Sequence, residues 1–152
     1  MWKPAESEAA MTDLNKMKNW LLSYPDWGDG ALHINYTDGL PGNGGLYPVG
    51  FETVSSRKDI LGNRQNRYRY RFVLYRTVAG QHSDPEGARW LLDFQKWVQQ
   101  EGAAGNTPKF GDDPQAEQLL AEDGMCHQVL QSGVRVYKVT LLAEFTKLLK
   151  TA

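Results

Sequence analysis

Arg67-Tyr68-Arg69-Tyr70-Arg71-Phe72-Val73-Leu74-Tyr75-Arg76 alternates with a period of two, the period of a β-strand rather than a helix. Read as a strand, it puts Tyr68, Tyr70, Phe72 and Leu74 on one face and Arg67, Arg69 and Arg71 on the other. The aromatic face needs a core to cover it. The arginine face has to meet water, a polyanion or an acidic protein surface, because burying unpaired guanidiniums carries a large desolvation cost. Three readings of that face stay open: a solvated strand surface, a protein interface, or a nucleic-acid contact.

Upstream of this stretch, residues 49–58 suit a second strand, and the polar residues 61–66 connect the two. Two long antiparallel strands joined by a projecting loop are expected. Residues 38–48 hold four glycines and two prolines and read as a loop, while residues 31–36 alternate in part and read as a short strand. Leu14, Met17 and Leu21 recur at helical spacing before Pro25, predicting a helix from Pro4 or Thr12 to Ser23. Residues 1–11 read as an N-terminal extension of one domain spanning 1–152.

Downstream, Ser83-Asp84-Pro85-Glu86 combines N-cap residues, a first-turn proline and early acids, all of which favour helix initiation. Trp90, Leu91, Phe94, Trp97 and Val98 then form one apolar stripe, with Gly102 as the expected stop. The stripe reads first as a core face. Residues 114–122 suggest a short helix capped by Asp113. Tyr137, Val139, Leu141, Ala143 and Phe145 alternate on one face of a last strand, with residues 125–131 as its hairpin partner across Ser132-Gly133. Strands in runs around a long helix, without regular βαβ alternation, predict an α+β fold. Its mostly antiparallel sheet of about four or five strands is expected to pack against the N-terminal and central helices.

Composition narrows the function classes. At 152 residues, 41% hydrophobic and 23% charged, the chain matches a folded globular domain, and no apolar run approaches the roughly 18 residues that span a membrane. The N-terminus lacks the pattern of a secretory signal, so synthesis in the cytoplasm is expected. The balance of 17 basic and 18 acidic residues argues against a dedicated non-specific nucleic-acid binder. The charges are nevertheless segregated. Residues 57–76 hold seven bases (Arg57, Lys58, Arg64, Arg67, Arg69, Arg71 and Arg76) against Asp59, while residues 81–124 hold nine acids against three bases. The two segments are able to neutralise each other within one molecule or between neighbouring copies.

No catalytic set is visible. Cys126 and His127 are adjacent, so on a strand they point to opposite faces, and no second Cys or His lies at ligand spacing. The lone thiol reads as a small buried side chain, with a nucleophile paired to His33 or His82 as the alternative. The glycine run at 39–45 lacks the Gly-Lys-Ser/Thr ending of a phosphate loop, and Asp26, Asp29 and Asp38 sit among glycines as turn residues. Neither a cofactor, a metal nor an enzymatic activity is expected.

Three stretches carry a resemblance to a known family. They are the arginine strand quoted above, the helix ending Leu92-Asp93-Phe94-Gln95-Lys96-Trp97-Val98-Gln99-Gln100-Glu101 with the polar Asn106-Thr107-Pro108 after it, and the terminal Tyr137-Lys138-Val139-Thr140-Leu141-Leu142-Ala143-Glu144-Phe145. Over about residues 46–149 their order and texture resemble the minor capsid and tail-terminator proteins of tailed bacteriophages and prophages. The resemblance implies a virion subunit made in the bacterial host cytoplasm, without cofactor or catalysis. It also implies a ring of copies, commonly a hexamer, that caps the tail tube and offers a surface to the head connector; another head-to-tail joining or neck protein is the alternative. On this reading Arg57, Lys58, Arg64, Arg67, Arg69 and Arg71 either contact a neighbouring subunit or face the DNA that passes through the ring.

Overall fold

The computed structural model describes residues 4–79, 85–130 and 133–149, with residues 4–11 as backbone alone. The expected helix-capping residues Ser83 and Asp84, together with His82 and Ser132, lie outside the described residues.

The fold is α+β. A helix α1 (Pro4–Leu22) leads into three strands, β1 (Leu32–Ile34), β2 (Gly44–Lys58) and β3 (Arg64–Val78). A second helix, α2 (Glu86–Ala104), precedes β4 (Gln118–Val129) and β5 (Arg135–Leu149). The sheet order is β1-β2-β3-β5-β4, with β1 parallel to β2 and every other pair antiparallel. The β2–β3 hairpin and the long β3–β5 pairing, which runs from Arg64 opposite Leu149 to Val78 opposite Arg135, form the backbone of the molecule.

Both helices lie on the face that carries Phe72 and Leu74 of β3 with Val139, Leu141 and Phe145 of β5. Met17 and Leu21 of α1 and Phe94 and Val98 of α2 close the core from the other side. The stripe expected on the central helix is a core face. Trp97 stacks on Trp20 of α1 with ring centroids 4.6 Å apart, and Trp90 stacks on Phe94 at 5.2 Å. Tyr70, at the edge of this core, donates a hydrogen bond to Asp13 on α1 at 2.7 Å.

Several boundaries differ from the sequence reading, each for a packing reason. β2 begins at Gly44, inside the stretch expected to be loop. There the missing side chains permit close approach: a Cβ on Gly44 would lie 2.8 Å from the Trp27 ring. Helix α2 runs through Gly102 and stops at Gly105, whose φ of 75° is the left-handed cap conformation that glycine adopts without strain. Residues 114–122 are not a helix. Asp113 does accept from the Gln115 amide at 3.2 Å, but this caps only a 3-10 turn, Pro114–Ala116. β4 follows because Leu119 and Ala121 meet Ala143 and Leu141 across the sheet at a spacing of two. Residues 4–11, read as an extension, have helical backbone continuous with α1.

Helix α2 lies close against β5 at Gly87, where an added Cβ would lie 2.1 Å from the Tyr137 ring. Tyr137 is itself buried. Gly87→Ala is therefore expected to destabilise the fold by about 2 kcal/mol through overpacking, read as a lowered midpoint in urea unfolding. An unchanged midpoint would mean that the helix can lift without loss.

Candidate assembly surface

The arginine face of β3 meets an acidic partner inside the same chain. Register places Arg69 between Glu52 of β2 and Glu144 of β5, and Arg67 opposite Thr146. Glu144 Oε1 accepts from Arg67 Nε at 2.9 Å, while its Oε2 accepts from Arg69 Nε at 3.0 Å and Nη2 at 2.7 Å. Arg67 also donates through Nη1 to the Ala116 carbonyl at 2.9 Å, and Arg69 through Nη1 to Glu52 at 2.9 Å. One glutamate thus clamps two guanidiniums. Arg71 is more exposed and stands 4.0 Å from Glu52. The acids that neutralise this face come from β2 and β5, and neither belongs to the acidic segment 81–124 that sequence reasoning had marked.

Arg76 leaves the cationic face altogether. It shares its strand face with Phe72 and Leu74, is 8% exposed, and lies between two indoles, with its guanidinium carbon 4.4 Å from the Trp27 ring centre and 5.0 Å from that of Trp90. Among the described residues its Nε and Nη1 are buried without a hydrogen-bond partner, and burial lowers its pKa. The neighbouring Tyr24 hydroxyl, also buried and unpartnered, is pushed up to about 12 by burial, with Asp26 and Asp93 adding to the shift. A cation in this position gains from the aromatic faces but forfeits hydration. Arg76→Met, which keeps the stem and removes the charge, is expected to leave stability within about 1 kcal/mol or raise it. A loss above about 2 kcal/mol in denaturant unfolding would mean that the guanidinium has a polar partner.

Arg57, Lys58 and Arg64 lie at the far end of the β2–β3 hairpin. The turn there is ordered by Asp59, whose Oδ1 accepts from the amides of Leu61 and Asn63, both at 2.9 Å, while Gly62 supplies a φ of 87°. Among the described residues Arg57, Lys58 and Arg64 make no ion pair. The turn also presents Ile60, 102% exposed, and Leu61, 78% exposed. Every residue of β2 from Pro48 to Lys58 is exposed, including Val49, Phe51 and Val54. Among the described residues, the outer edge of β2 has no strand partner beyond the three-residue β1. The hairpin is therefore an arm with exposed apolar side chains and, among the described residues, cations without an ion pair and an open edge. Sequence reasoning marked its cations but not Ile60 and Leu61, whose exposure depends on how far the rest of the sheet extends beside them.

Two hollows remain. One lies between α2 and the start of β4, about 740 Å³, with Leu92, Val98, Ala103, Leu119 and Leu120 among its lining residues. The other, about 520 Å³, lies on the uncovered sheet face among Thr37, Asp38, Tyr47, Tyr75, His127 and Val136. Beside it Asp38 is held by the Leu40 amide at 2.9 Å, by Asn43 Nδ2 at 2.8 Å and by His33 Nε2 at 2.8 Å. These bonds keep its carboxyl below the usual range, the backbone amide contributing most. This network fastens the 35–43 loop, with both Asp38 oxygens engaged. Cys126 is exposed, which corrects the expectation of a buried thiol: it lies on β4, an edge strand, between two register shifts that interrupt its pairing with β5. Its Sγ lies 3.9 Å from the Gln128 carbonyl of its own strand.

Among the described residues, no group of three His, Cys, Asp or Glu side chains is arranged to hold a metal ion, and no helix is long and apolar enough to cross a membrane. Comparison with models of known protein families and with curated protein sequences gives no match.

Proposed function

We propose that this chain is a structural assembly subunit of a tailed-phage or prophage virion, a terminator that caps the tail tube as a ring and joins it to the head connector. The observation that carries the assembly reading is the hairpin arm, whose Val49, Phe51, Val54, Ile60 and Leu61 are between 41% and 102% exposed. Exposed apolar side chains gathered on one arm favour a contact with another macromolecule. The arm and the acidic α2–β4 region occupy different parts of the sheet, which suits the head-to-tail contacts from which rings are built. The terminator identity within that class rests on the resemblance of the three stretches around residues 67–76, 92–108 and 137–145. The role assigns no enzymatic step and no cofactor, and its partners are further copies of the chain, the tube protein and the connector.

Electron microscopy of the cognate tail-tube protein polymerised with and without this chain tests the role. Tubes of limited length, each with a ring at one end, are expected; tubes that elongate unchanged would overturn it.

A second reading is favoured by Arg57, Lys58 and Arg64 of the arm, which form no ion pair among the described residues. A nucleic-acid contact there predicts DNA retention that falls steeply with salt, with a shallower slope when Arg64 is replaced by Gln. Retention that does not depend on salt or on Arg64 would remove this reading.

A further inference from the structure

We infer that the sheet face opposite the helices carries a binding site for a phosphate-type oxyanion, built by Ser55, Arg57, Gln65, Arg67 and Thr146. The inference does not depend on the terminator role. These five residues line a hollow of about 190 Å³, smaller than the two described above. It is also below the roughly 300–1,000 Å³ of pockets that enclose drug-sized ligands, so it suits one charged group rather than a whole organic molecule.

Register builds the hollow. Ser55 pairs with Arg67, and Arg67 with Thr146, so one residue from each of β2, β3 and β5 stands in a row. Arg57, paired with Gln65, stands in the next row of the same face. The register shift between Thr53 and Ser55 decides which cation arrives there. Unbroken alternation from Glu52, which pairs with Arg69 on this face, would bring residues 54, 56 and 58 to it. The shift brings Ser55 and Arg57 instead, and leaves Lys58 opposite Arg64 on the other face.

Donor chemistry selects the ligand. The lining holds two guanidiniums, two hydroxyls and an amide, and no carboxylate. Arg67 is fixed in place, with Nε bound to Glu144 and Nη1 to the Ala116 carbonyl and the Thr146 hydroxyl, while Nη2 takes part in none of these bonds. Thr146 is itself only 8% exposed. Glu144 has both oxygens committed to Arg67 and Arg69. Among the described residues Arg57 forms no ion pair. Guanidinium forks beside hydroxyl donors match the several acceptor oxygens of a phosphate group. Free phosphate and the phosphodiester of a nucleic acid share that chemistry.

The test titrates the full chain with inorganic phosphate in a calorimeter at constant ionic strength. Saturable binding of one phosphate per chain is expected. Arg57→Gln should weaken it about tenfold, the loss of one charge-assisted contact. Lys58→Gln removes the same charge from the neighbouring position on the other face, and should change the affinity by less than about twofold. Both side chains are exposed, so thermal unfolding of each variant should match that of the parent. A single-stranded oligonucleotide added to the titration separates the two sources. Displacement of phosphate by the oligonucleotide identifies a phosphodiester as the ligand, and phosphate binding that persists identifies a free phosphate; each supports the site. Three results would overturn it: no saturable phosphate binding, binding indifferent to Arg57→Gln, or equal weakening by Arg57→Gln and Lys58→Gln, which is the mark of general charge attraction. The terminator role is decided separately, by tube capping.

Discussion

Glu144→Ala is expected to destabilise the protein by about 3 kcal/mol, the cost of breaking a largely buried ion pair from one side. Its carboxylate is only 17% exposed and is the shared acceptor of Arg67 and Arg69. Removing it leaves two part-buried guanidiniums with fewer acceptors, while each keeps a weaker bond elsewhere, to Ala116 and to Glu52. A double-mutant cycle with Arg69→Ala should give a coupling of about 1–2 kcal/mol, since the second change removes one of the stranded charges. Additive effects would mean that the clamp contributes nothing beyond its separate contacts.

The same clamp sets a pH dependence. Burial pushes the Glu144 carboxyl up, but the hydrogen bonds from Arg69 and Arg67 and their charges outweigh it, so the folded pKa is lowered. A group depressed in the folded state contributes stability above its unfolded pKa, about 4.3 for glutamate, and loses it as pH falls through the folded value. The stability difference between the parent chain and Glu144→Gln should therefore be full at neutral pH and shrink below about pH 4. Urea unfolding across that range measures it, and a difference constant down to pH 3 would contradict the clamp.

Phe94→Ala is expected to cost about 3–5 kcal/mol, the range for deleting an aromatic ring from a closed core. Phe94 is fully buried, stacks on Trp90, meets Tyr24 edge-on with ring centroids 5.3 Å apart, and sits where α2 closes over the sheet. Its neighbours are rings held by one another, so the cavity has little means of collapsing. The tryptophan cluster supplies a direct readout: near-ultraviolet circular dichroism should lose intensity in the folded variant. A cost below about 1.5 kcal/mol would mean that the cluster repacks.

The strands and helices were legible because each depends on a period that neighbouring residues display. Alternation at 67–76 and 137–145 marked both central strands, and the stripe at 90–98 marked the covering helix. The misread places were those where a local signal had two meanings. Gly44 and Gly45 suggest a loop until Trp27 is seen packed over Gly44. Residues 118–122 suit a short helix until β5 offers them a ladder.

The candidate surface was legible in its charges but not in their fates. Alternation placed Arg67, Arg69 and Arg71 on one face, because side-chain direction along a strand is a property of the backbone. Which of them stay free depends on register: Glu144 lies opposite Arg69 only because β5 pairs with β3 across 75 residues of chain, and nothing local encodes that distance. Arg76 continues the arginine run in sequence, yet it shares the even-numbered face and is buried between Trp27 and Trp90. Ile60 and Leu61 are ordinary hydrophobic residues until the sheet ends short of them. Local periodicity thus dictated the elements and their faces, whereas pairing between distant segments decided which charges are neutralised and which apolar side chains are left for a partner.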